Sequence, residues 1–167
     1  MTRVEVVTQI NASLERCFDL ARDMGIHEKT TGSTGERVVE IVRAEGLAAR
    51  PAQEEGMLLG LGDVVTFEAR HLGIRQRLTS KIVSFDRPHE FVDEMQRGAF
   101  KSLRHIHRFE LAEEGIRMID ILEFESPAWV LGRIADALVL GRYMERFIAS
   151  RGRSLKRIAE NERSEKG

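Results

Sequence analysis

"GAFKSLRHIHRFE", Gly98 to Glu110, is the stretch on which the reading of the fold turns. A small turn at Gly98 opens it, and a strand pattern follows. Leu103, His105, His107 and Phe109 fall on one face, Arg104, Ile106 and Arg108 on the other, because successive strand side chains point to opposite sides. Leucine and phenylalanine bracket the two histidines, so that face is expected to look inward. The preceding "FVDEMQR" offers Phe91, Asp93, Met95 and Arg97 on one face. The following "IRMIDILEFES" offers Met118, Asp120, Leu122 and Phe124. If these faces align, His105 and His107 lie between Asp93 and Asp120 in an otherwise apolar wall.

Outward from this stretch, more strands come into view. Val4, Val6, Thr8 and Ile10 alternate with Arg3, Glu5, Val7 and Gln9, the period of a half-buried strand. Ser13 is a suitable N-cap for "LERCFDLARDM", where Leu14, Cys17, Phe18 and Ala21 make one apolar stripe. "GIHEKTTGSTGE" is polar and glycine-bearing and reads as a loop with at most one helical turn. A short strand is expected around Val38 to Val42. From Glu45 to Gly60 the text is irregular, with Met57, Leu58, Leu59 and Leu61 needing cover. "VVTFEARHL" and "IRQRLTSKIVSF" then read as strands, with Ile74, Leu78 and Ile82 on one face of the second. Arg75, Arg77, Thr79 and Lys81 share its other face, expected to be solvated. In "GLGD" the glycine spacing is wrong for a phosphate loop and no Lys-Ser/Thr follows, so these glycines are expected to serve a tight turn.

Pro127 sits where a helix could begin, and the pattern stays helical to about Glu160, roughly 45 Å at 1.5 Å per residue. Leu131, Ile134, Leu138, Tyr143, Phe147, Leu155 and Ile158 supply its expected apolar positions. Arg151, Arg153, Lys156 and Arg157 read as solvated charge balanced by Glu160, Glu162 and Glu165. The fold class is therefore α+β: a curved antiparallel β-sheet wrapped around a long C-terminal α-helix, with a cavity between them. Residues 1–160 are expected to form one domain and 161–167 a disordered tail.

Composition narrows the function classes. The 167-residue chain has a net charge of −1, so no global pull toward nucleic acid is expected. One cysteine, Cys17, excludes an internal disulfide and any multi-thiolate metal site. "MTRVEVVTQI" has no apolar core of a signal peptide, and "WVLGRIADALVLG" is too short to span a bilayer. A cytoplasmic protein, monomeric or homodimeric and without stable membrane insertion, is expected.

The wording of "GLGDVVTFEARHLGIRQRLTSKI", "FVDEMQRGAFKSLRHIHRFE" and the closing helix resembles the START, pollen-allergen and polyketide-cyclase-like superfamily (SRPBCC). Within it, the chain resembles the small bacterial ligand-binding or cell-division-inhibitor-like proteins. The family pattern runs approximately Phe-x-Asp-x-x-x-x-Gly-Pro-Phe-x-x-Trp-x-His-x-His-x-Phe. It is matched at Phe91, Asp93, Gly98, Phe100, His105, His107 and Phe109. Ala99 stands where proline is usual and Leu103 where tryptophan is common. The resemblance implies the helix-grip fold and a hydrophobic cavity. It does not imply one reaction, because the superfamily mixes carriers, cyclases, hydrolases and regulatory binders.

The expected function is binding of a hydrophobic or amphipathic small molecule, a lipid, polyketide-like or aromatic compound, through apolar burial with a few orienting polar groups. Its expected contacts are Phe91, Asp93, Met95, Phe100, Leu103, His105, His107, Met118, Asp120, Leu122, Trp129 and Leu138. For the histidines three readings stay open. They can satisfy nearby carboxylates structurally, orient the polar end of a ligand, or do chemistry, with His105 or His107 as general base beside Asp120 in a cyclase, dehydratase or hydrolase. A His-x-His pair can also ligate zinc, with Asp120 completing the site. His27, His71 and His89 fall in loops or on other strands, so no third histidine is evident and neither metal nor cofactor is expected. A regulatory protein-interaction module is the remaining alternative.

Overall fold

Period-two alternation recurs along most of the chain, and the result is one seven-stranded antiparallel sheet. The computed structural model describes residues 1–31, 35–44, 58–71, 73–126 and 139–161. The strands are β1 (Thr2–Ile10), β2 (Arg37–Val42), β3 (Val64–His71), β4 (Ile74–Asp86), β5 (Glu90–Arg97), β6 (Ser102–Leu111) and β7 (Ile116–Glu125). Two short helices, α1 (Leu14–Ala21) and α2 (Met24–Thr30), separate β1 from β2, and α3 (Gly141–Asn161) follows β7. The sheet order is β1-β7-β6-β5-β4-β3-β2, a meander from β2 to β7 with β1 added at the far edge. Among the described residues α3 is 21 residues long, roughly 31 Å. The start expected at Pro127 lies outside the described residues, as does the tail beyond Asn161, which is itself still helical.

The first helical region differs from expectation. Instead of one helix running through Met24 and then a loop, α1 ends at Ala21 with Arg22 as its C-cap, and a second helix starts at Met24. Asp23 is the reason: its carboxylate accepts from the Gly25 and Ile26 amides and caps α2. Met24, His27 and Thr30, spaced at three, form the buried face of α2. The glycines and threonines of this segment disguise a helix whose stability comes from its cap and from burial.

Phe18 of α1 is fully buried and meets Phe85, Phe91 and Phe109 edge-on at centroid distances of 5.3 to 5.4 Å. Each such pair contributes about 0.5–1.5 kcal/mol beyond burial. The C-terminal end of α3 is tied to the same region: Arg16 Nε donates to the Ala159 carbonyl at 3.0 Å, and Lys156 Nζ to the Gln9 carbonyl at 2.8 Å. A cation on the last carbonyls of a helix offsets its dipole.

On the outer face, the strand cations expected to be solvated converge on Glu68, which accepts from Arg37 and Arg77 and lies beneath them and Arg75. Ile74, expected inward, is exposed at the tip of the β3–β4 hairpin. In "GLGD", Gly62 has φ +83°, and Asp63 accepts from the Gly60 and Ala44 amides and from Arg43. The glycines therefore do serve a turn into β3.

The stripe that α3 buries is rotated from the expected one. Gly141, Met144, Ile148, Arg151, Gly152, Leu155 and Ala159 face inward, while Tyr143, Phe147 and Ile158 flank them half-buried. Gly152 allows the close approach, since a Cβ there would lie 2.5 Å from Thr8 Oγ1.

Two outcomes follow from this packing. Gly152→Ala should gain helix propensity of about 1 kcal/mol but clash with Thr8, so it should destabilise the wild type and stabilise a Thr8→Ala background. Chemical denaturation of the four proteins should give a coupling of about 1–2 kcal/mol; additive effects would contradict the close contact. Burial also pushes the Cys17 thiol up to about 11, Arg16 opposing and Glu160 adding. Alkylation of native protein at pH 8 should therefore run about 100-fold or more slower than in urea, and a fast native reaction would contradict the burial.

Candidate functional site

The register of three strands assembles the site. Asp93 pairs directly with His105 across β5 and β6, and His107 pairs with Asp120 across β6 and β7. Because all four side chains project to the inner face, they form one polar row across three strands. His105 Nε2 lies 3.1 Å from Asp120 Oδ1, and His107 Nδ1 lies 2.8 Å from the same oxygen. Both imidazoles and Asp120 are buried. The two rings sit 3.8 Å apart, centre to centre, and Phe91 stacks on His107 at 4.2 Å.

The electrostatics fix which partner carries charge. Burial alone would raise Asp120, but the hydrogen bonds from His105 and His107 outweigh it and hold the carboxyl below the usual range. Burial pulls His107 down to about 3, with the neighbouring His105 adding and Asp120 opposing. The result is a carboxylate accepting from imidazoles, with His107 neutral. Asp93 behaves oppositely: burial raises its carboxyl, and the neighbouring His105, Arg151 and His27 and a nearby Ser80 hydroxyl, which stands outside hydrogen-bond geometry, only partly compensate. Asp93 Oδ1 and Ser80 Oγ are buried with no hydrogen-bond partner among the described residues.

From above the sheet, α2 and α3 contribute two groups that the sequence pattern concealed. His27, expected in a loop, is buried on α2, bonds to Glu36 and stacks on Phe67 at 4.6 Å. Burial lowers its pKa, Arg151 adds to that, and Glu36 opposes. Arg151, expected in solvent, is buried on α3, where Nη2 donates to the Ala21 carbonyl at 3.1 Å and Nε has no partner among the described residues. The available signal was position: Arg151 stands three residues after Ile148 and four before Leu155, on the same stripe.

The residues expected to touch ligand divide into three groups. Phe91 and Met118 belong to the apolar cluster around Phe18 and Phe109. Met95, Phe100, Leu103 and Leu122 belong to a second cluster with Val4, Phe124 and Met144. Asp93, His105, His107 and Asp120 lie between the two along β5, β6 and β7. Trp129 and Leu138 lie outside the described residues. His89 is exposed in the β4–β5 turn, away from this row.

No family profile and no curated protein matches the sequence. Solved structures do match. The chain superposes on the Thermus thermophilus protein TTHA0849 with a TM-score of 0.70 at 18% identity, over 92% of this chain and 94% of that one. A START superfamily protein from Mycobacterium smegmatis gives 0.69 at 12% identity, covering 96% and 99%. Ginseng major latex-like protein 151, from Panax ginseng, gives 0.65 at 16% identity, covering 95% and 97%. Seven antiparallel strands and a long C-terminal helix, shared end to end with these structures, are the helix-grip fold of the START and Bet v 1-like proteins.

Proposed function

We propose that the chain binds one hydrophobic or amphipathic small molecule between the inner face of the sheet and α3, with the ligand's oxygen-bearing end at Arg151 and Asp93. What carries the reading is a set of buried polar atoms that have no partner among the described residues, Arg151 Nε, Asp93 Oδ1 and Ser80 Oγ. Each such atom costs about 1–3 kcal/mol, more when charged, unless something hydrogen-bonds to it. The two apolar clusters on either side would take the ligand's hydrocarbon parts at about 25 cal/mol per Å² removed from water. A carboxylate, phenolate or sulfonate fits Arg151 Nε, and a hydroxyl on the same molecule fits Asp93.

His107 supports binding over a general-base role. A base working near neutral pH is best matched by a pKa near that pH, and His107 is held at about 3. With both rings committed to Asp120, the row acts as a rigid polar floor. START and major latex-like proteins among the structural relatives fit a ligand-binding reading of the fold.

An anionic amphipathic dye, anilinonaphthalene sulfonate, tests this directly. Folded wild type should bind about one equivalent with enhanced fluorescence. Arg151→Gln should weaken binding by about 10- to 100-fold, the worth of one charge-assisted hydrogen bond. A neutral apolar dye should be affected little. Equal affinity of wild type and Arg151→Gln for the anionic dye, or no binding by folded protein, would overturn the reading.

A further inference from the structure

We infer that Asp93, His105 and His107 form a binding site for one divalent transition-metal ion of the Zn²⁺ type, with Asp120 as the outer carboxylate that orients both rings. The first support is geometric. One ring nitrogen from each histidine and one Asp93 oxygen lie within 4.8 Å of one another, on neighbouring strands. Ligand atoms about 2.0–2.1 Å from a tetrahedral ion stand roughly 3.4 Å apart, so a small side-chain rotation closes the set.

The second support is chemical. Asp120 Oδ1 stands at hydrogen-bond distance from His105 Nε2 and His107 Nδ1, and a carboxylate can only accept from them. In its neutral form an imidazole has one donor and one acceptor, so a ring that gives its N–H to Asp120 can offer its other nitrogen to a metal ion. Asp93 Oδ1 adds a third acceptor that meets no donor among the described residues. One nitrogen from each imidazole and a carboxylate oxygen that meets no donor among the described residues stand together on the buried face, an arrangement a cation can bridge. Asp120 then plays the part of the carboxylate that fixes tautomer and ring orientation behind a metal-bound histidine.

The donor set is two nitrogens and one oxygen, with no thiolate. That suits Zn²⁺ and its first-row neighbours more than Ca²⁺ or Mg²⁺, which favour oxygen cages. Three protein ligands leave a fourth position open, as in catalytic rather than structural zinc sites. Arg151 lies on the helix side with Nε unpaired among the described residues, so an anionic oxygen could sit on the ion and on Arg151 at once. The sequence left a zinc reading open with Asp120 as a ligand but expected no metal; the inferred site instead has Asp93 as the ligand and Asp120 as its support.

The test uses the full chain, stripped with a chelator, dialysed and titrated with Zn²⁺ alone in a calorimeter. One equivalent per chain should bind, and Zn²⁺ should raise the thermal midpoint. Asp93→Asn should weaken binding at least about 100-fold; Asp120→Asn, acting through the rings, about 10- to 100-fold. His89→Ala, at an exposed turn, should change nothing. Co²⁺ in place of Zn²⁺ should give the visible absorption of a low-coordinate site in wild type and lose it in Asp93→Asn. If Asp93→Asn unfolds, His105→Gln with circular dichroism as the folding control replaces it. No stoichiometric binding, or binding that Asp93→Asn and His105→Gln leave unchanged, would overturn the inference. Because no organic ligand is present, that failure would leave the small-molecule reading untouched.

Discussion

Two imidazoles donating to one buried carboxylate are the interaction on which the inner face depends. A lone Asp120 in that position would be an uncompensated buried charge, the kind of defect that costs about 3–5 kcal/mol. His105 and His107 remove the defect only if β6 and β7 hold the register that puts His107 opposite Asp120. A slip of one residue would turn both rings to the outer face. The triad therefore acts as a register pin as well as a polar floor, and the stacking of Phe91 on His107 extends that pinning to β5.

The same row organises the core. Phe18, Phe91 and Phe109 gather at the end nearer α1; Leu103, Leu122 and Phe124 gather at the other. A single apolar core would have packed more simply, and buried polar groups are expensive unless satisfied. Here satisfaction is uneven: Asp120 is doubly bonded, whereas Asp93, Ser80 and Arg151 hold buried atoms without partners among the described residues. The satisfied half gives rigidity and the unsatisfied half is the place where something else can bind. Close approach of α3 at Gly152 sets Arg151 above that half.

Much of this was legible in the sequence, for reasons that can be named. Strand alternation needs no tertiary information, so the inward row of Leu103, His105, His107 and Phe109 could be read from thirteen residues. The turns at "DRP", Gly98 and Gly115 announced a meander. Gly115 in particular has φ +71° and sits where a Cβ would meet the Ile10 carbonyl at 2.1 Å. Less legible were features that depend on how elements dock. Arg151 looked like one cation among several because the rotation of α3 is set by the sheet beneath it. α2 looked like a loop because its capping aspartate followed another helix immediately. Asp93 and Asp120 looked equivalent flanking carboxylates, and only their different partners separate an accepting, ionised Asp120 from a desolvated Asp93.

The central claim is that Asp120 takes one N–H from each ring, and the tautomers of the two histidines report it. Long-range ¹H–¹⁵N correlation spectra on ¹⁵N-histidine-labelled protein at alkaline pH, assigned with single His→Gln variants, would read both. His105 should be the Nε2–H form and His107 the Nδ1–H form, and neither pattern should survive Asp120→Asn unchanged. Two rings of the same tautomer, or two rings exchanging freely between forms as in water, would contradict the claim.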